Sequence, residues 1–134
     1  MGLRADLTNR PPREQAGRLA ALAEPLVTRI ARDEPNAEEA RAALAAIQAW
    51  ASGAALTGRS FSDLVYSDDE QGLLRRLSQA AGKPTEDAWN ALTTATMYVA
   101  WLVYAETGEV MPSDVNEVDE DTLDLLDEQL GELA

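Results

Sequence analysis

The chain of 134 residues contains neither cysteine nor histidine, and the two absences together remove most of the chemistry open to a small protein. Without thiols there is no disulfide framework and no thiolate metal site, so the fold must rest on packing alone, as is usual in a reducing compartment. A cytoplasmic location is expected. Without imidazole the commonest general base and the usual activator of a nucleophile are gone. A zinc site would need carboxylates alone, and the Glu-x-x-His element of ferritin-like diiron proteins cannot be written. No Gly-Lys-Ser/Thr sequence offers to cradle phosphate. Long apolar runs are missing too: the longest, residues 95–105, is about half of what a bilayer requires. Met1 to Asp6 is not followed by an apolar h-region, so neither a membrane span nor a secretory signal is expected.

What remains is carboxylate. Asp114-Val115-Asn116-Glu117-Val118-Asp119 begins like a calcium loop, but Val118 stands at the fifth ligand position and Asp119 at the place of the turn glycine. The motif fails. Asp68, Asp69 and Glu70 cluster at the start of an expected helix, where capping and the helix dipole account for them. Paired carboxylates can run glycosidase chemistry, yet pairs are unavoidable among 24 acidic residues. No cofactor, no metal and no catalytic activity are expected.

The formal net charge of −13 is unevenly placed. Residues 1–41 hold seven arginines and seven carboxylates, which cancel, whereas residues 42–134 hold four basic and seventeen acidic residues. Residues 109–134 carry ten carboxylates and no Lys or Arg. Such a surface repels phosphate backbones and anionic lipid and attracts basic proteins. Nucleic acid and membrane are therefore excluded as expected partners.

Abundant Ala, the absence of β-branched runs and the lack of sustained alternation predict helices throughout. With 46% hydrophobic residues the chain is rich enough to fold despite its charge. The fold class is all-α: a single-domain bundle of about five to six helices, with residues 1–11 a flexible N-terminal segment. A first helix starts near Pro12, with Leu19, Leu22, Leu26 and Ile30 as its apolar stripe and a kink or break at Pro25. Asn36 and Glu39 form a capping box for the second helix, which Gly53 closes. Residues 54–67 read as a connector with one short turn after Ser60, pinned by Phe61, Leu64 and Tyr66. Ser67 with Glu70 caps a third helix that runs to Gly82. Lys83-Pro84-Thr85 opens the longest helix, about 85–107, apolar on nearly every side from Ala95 to Ala105 and so placed at the centre of the bundle. Asp119 caps a last amphipathic helix with Leu123, Leu126, Leu130 and Leu133 inward.

Trp50, Leu64, Trp89, Leu92, Val99 and Tyr104 are the expected core, while Tyr98 and Trp101 fit either the core or an interface. In the last helix Asp119, Glu120 and Asp121 lie in the first turn, where the dipole favours them. Asp124, Asp127, Glu128 and Glu132 have no such local reason. With Asp114 and Glu117, and assisted by Asp68, Asp69 and Glu70, they form the expected partner-binding surface.

Ile47-Gln48-Ala49-Trp50, Ser62-Asp63-Leu64-Val65-Tyr66, Asp87-Ala88-Trp89-Asn90-Ala91, Met97 to Ala105, and Met111-Pro112 followed by Asn116-Glu117-Val118-Asp119 stand in an order that resembles the all-helical immunity protein six family. The resemblance spans roughly residues 12–130. It implies an immunity protein of a polymorphic toxin system in bacterial competition, whose partner is a cognate toxin, expected to be basic. A monomer is expected in the free state. The rival reading is a helical adaptor, joined through Tyr98 and Trp101, in which acid serves solubility only.

Overall fold

In a computed structural model, which describes residues 2–35, 37–66, 72–112, 115 and 118–133, the chain forms an all-α domain with no strand among the described residues. Its helices are α1 (Leu3–Leu7), α2 (Pro12–Asp33), α3 (Glu38–Ala51), α4 (Gly58–Tyr66), α5 (Leu73–Gln79), α6 (Glu86–Thr107) and α7 (Asp121–Leu133). α6 packs against α2, α3, α4, α5 and α7. From Ala88 to Tyr104 every residue except Asn90, Thr94 and Trp101 is buried. The central helix expected at about 85–107 is therefore present, and Gly108 ends it with φ +75°, a conformation that costs glycine little. The buried threonine hydroxyls of this apolar helix are satisfied along it: Thr93 donates to the Trp89 carbonyl and Thr96 to that of Leu92, each at 2.8 Å.

α2 is as long as α6 and runs unbroken through Pro25. The expected break does not occur, because Pro25 and Ala21, whose carbonyl loses its partner, both lie on the solvent side. Leu19, Leu26 and Ile30 are buried as expected. Leu22 falls at the edge of the stripe and is 37% exposed. α3 has Ala37 at its N-cap with no side-chain cap, and Asn36 lies outside the described residues. Glu39, expected in the capping box, instead reaches Arg76 at 2.9 Å.

The expected connector is a true helix, α4. Its cap is Thr57, whose Oγ1 accepts the Ser60 N–H at 3.1 Å, rather than Ser60. Phe61 and Val65 are its buried hydrophobic residues, with Gly58 and Ser62 buried beside them, and Leu64 is half-buried, while Tyr66 is exposed. Gly58 permits this packing, since a Cβ there would lie 2.5 to 2.6 Å from three ring carbons of Tyr104. The Glu109 carboxylate accepts the Gly58 N–H at 2.7 Å. Bonds from Thr107 and from this N–H hold Glu109 below the ordinary carboxylate range. Ser67 and Glu70 lie outside the described residues; α5 begins after Gly72 and ends before Gly82, which takes φ +77°.

A polar hub joins four helices. The Glu34 carboxylate, just past the end of α2, accepts the Thr85 hydroxyl at 2.6 Å, the Trp89 indole N–H at 2.8 Å and Arg76 at 3.0 Å. Arg76 also binds Glu39 and lies over the Trp89 ring, 5.0 Å from its centroid. Burial alone would raise the Glu34 pKa, but the three donors outweigh it and hold the group below its ordinary value.

The N-terminal segment, expected to be flexible, instead contains α1, which packs on α7 with Leu3 and Leu7 buried. Burial of two leucines at i and i+4 gives this short helix a reason to dock that its length alone does not supply.

Candidate partner-docking surface

α7 begins where the Asp119 carboxylate accepts the Asp121 N–H at 2.8 Å, so the expected cap is present. Leu123 and Leu126 are buried, and Leu130 and Leu133 are packed against the core in part. Gln129 is buried among them, and its Oε1 has no partner among the described residues. The opposite side presents Asp121, Asp124, Leu125, Asp127, Glu128 and Glu132 to solvent.

These carboxylates divide into two sets. Arg4 of α1 contacts Asp121 at 2.7 Å, Asp124 at 3.1 Å and Glu120 at 3.6 Å. Asp127 accepts the Leu3 N–H at 3.4 Å, at the start of α1. Asp124 and Asp127 thus have a structural role that the expectation denied them, because it left α1 undocked. Glu128 and Glu132 pair with nothing among the described residues. With Asp121 and Leu125, which is 49% exposed, they form a ridge at helical spacing 121, 125, 128, 132.

Asp114, Glu117, Asp68, Asp69 and Glu70 lie outside the described residues. Among the described residues no group of acidic side chains is arranged to hold a metal ion.

The core residues expected from sequence behave as such: Trp50, Trp89, Leu92, Val99 and Tyr104 are buried, and Leu64 is partly so. Arg13 lies over the Trp50 ring at 4.7 Å and donates to the Trp50 and Ala54 carbonyls. Tyr98, left open by sequence, is buried and donates to Gln15 Oε1 at 2.7 Å. Burial, and then the charge of Glu120, push the Tyr98 hydroxyl up to about 12. Trp101 stacks obliquely on it, half-buried, with ring centroids 5.5 Å apart. The apolar contact that an adaptor would use is therefore largely spent inside the fold.

Beside the ridge, where α1 and α2 meet α7, a groove of ≈ 540 Å³ opens. Sequence reading did not find it. Its only signal was Leu22, which a strict count of the α2 stripe places at the margin rather than on the buried face.

A family model described as immunity protein Imm6 matches residues 14–133, from the first turn of α2 to the end of α7. No curated protein and no solved structure matches the chain.

Proposed function

The chain belongs to the immunity protein Imm6 family, and from that premise we propose that it neutralises a cognate bacterial toxin domain by stoichiometric binding through the outward ridge of α7. The observation that carries this reading is the state of Glu128 and Glu132. They are exposed, without a partner among the described residues and on a helix without a cation of its own, beside an exposed leucine. Unpaired like charges along one helix face work against the helix itself, so the fold draws no benefit from them. They suit a basic partner, for which a negative field accelerates encounter and a central apolar side chain supplies contact on docking.

In this reading the protein is a binder and not a catalyst, and it needs no cofactor. It is a monomer until bound and acts in the cytoplasm, on protein and not on nucleic acid. No helix among the described residues is long and apolar enough to cross a membrane. A toxin that acts on nucleic acid needs a basic groove, and an acidic helix can fill such a groove or cover its rim.

Co-expression with a candidate toxin domain taken from a neighbouring gene tests the reading. The unaltered chain should protect growth and co-purify in a one-to-one complex. Protection that persists at full strength after Glu128→Lys and Glu132→Lys together would contradict it.

A further inference from the structure

We infer that the groove between α1, α2 and α7 receives a basic, leucine- or phenylalanine-bearing segment of the partner, a deepening that rests on the toxin-binding reading above. The groove is lined by the apolar side chains of Leu3, Ala21, Leu22 and Leu130 and by Asp6, Arg18 and Asp127; Asp6 is paired with Arg10 at 3.0 Å, which leaves Asp127 as the lining carboxylate without an ion pair among the described residues. Leu22 is the exposed leucine of a helix whose other leucines are buried. Gly131 also lines the groove and is exposed, and a Cβ built there meets nothing within 4 Å. The volume of ≈ 540 Å³ falls inside the range of roughly 300–1,000 Å³ typical of sites that enclose a ligand or a large side-chain cluster.

The chain itself shows what this flank of α7 accepts. α1 lies along the neighbouring stretch, burying Leu3 and Leu7 and placing Arg4 against Glu120, Asp121 and Asp124. Its first residues meet Asp127, so α1 fills one half of a seam, and the groove is the continuation past Asp127 to Leu130 and Gly131. The filled half pairs leucine with arginine. The open half offers a similar combination, apolar side chains beside a carboxylate, with Leu22 37% exposed and Leu130 partly so. Arg18 lines the α2 side and repels a cation there, so the occupant's cation is expected on the opposite side, at Asp127 and the negative end of α7.

The test is dissociation from an inactivated form of the toxin domain that the unaltered chain neutralises in co-expression, with Gly131→Leu as the variant. The substitution adds a side chain at the groove's α7 lining and favours the helix, and its Cβ meets nothing within 4 Å. Dissociation is expected to quicken by about tenfold or more with an association rate within about twofold of the unaltered chain, the pattern of a lost anchor. Thermal unfolding should not move downward. Leu22→Asp, on the exposed side of α2, should act alike and guards against a local distortion at Gly131. Dissociation unchanged in both variants overturns the groove assignment. The ridge reading survives that result if Glu128→Lys with Glu132→Lys still slows association, and falls with it if neither rate changes or the unaltered chain does not bind. A dimer of the free protein that Gly131→Leu dissolves would assign the groove to a second copy and overturn the partner segment proposed.

Discussion

Two sets of glutamates in this protein occupy opposite situations. Glu34 and Glu39 converge on Arg76, with Trp89 and Thr85 completing the shell of Glu34, and every bond among them crosses from one helix or its flank to another. Glu128 and Glu132 project from α7 with no partner among the described residues. The same side chain thus serves assembly in one place and is left over in the other. Composition cannot separate the two uses. Whether a carboxylate is available to a partner depends on what the fold has already brought to it, and Asp124 and Asp127 stand between the extremes, engaged by α1 yet exposed.

The sharpest way to break this comparison is to remove one member of each set. Glu34→Ala leaves the Trp89 N–H, the Thr85 hydroxyl and one side of Arg76 without their acceptor, and should cost about 2–4 kcal/mol in urea unfolding. Glu128→Ala should change stability by roughly 0.5 kcal/mol or less. Equal losses would erase the distinction.

Acid titration should separate the sets next. The Glu34 pKa is lowered in the folded state, so its contribution is fully present above the unfolded value of about 4.3 and is lost as pH falls through the lower folded value. Glu34→Gln should flatten this part of the stability curve, whereas Glu128→Gln should leave it in place. Stability followed by tryptophan fluorescence from pH 6 downward, over roughly three units spanning the carboxylate range, reads the difference.

A smaller effect is expected at the intermediate residues. Arg4→Ala removes the cation between Asp121 and Asp124, so α1 amides should lose protection in hydrogen exchange while those of α6 keep theirs. The freed carboxylates should raise the association rate with a basic partner. A global loss of protection would show that α1 belongs to the core rather than to its edge.

How much of this was legible beforehand follows from how local each signal is. α6 could be read because its apolar residues run all round the helix and Gly108 stops it, and α7 because Asp119, Leu123 and Leu126 carry its cap and period within a few residues. α4 was missed because its cap comes from Thr57, ahead of the serine that looked like one, and its packing depends on Gly58 meeting Tyr104. Arg76 sits far along the chain from Glu34 and Glu39, so no spacing rule relates them. The same distance hid Arg4 from Asp121 and Asp124, and with it the division of the acidic face. Of the residues expected to bind a partner, Glu128 and Glu132 are exposed with no partner among the described residues, while Asp124 and Asp127 are engaged by α1.

The central claim is that the ridge of α7 is kept acidic for a basic partner. Stopped-flow association with the inactive toxin domain, comparing the unaltered chain with Glu128→Lys/Glu132→Lys at low and high salt, tests it most directly. The double variant should associate about tenfold or more slowly at low salt, with the gap closing as salt is raised and with unfolding unchanged. Equal association rates at low salt would contradict it and return these carboxylates to the role of solvated surface.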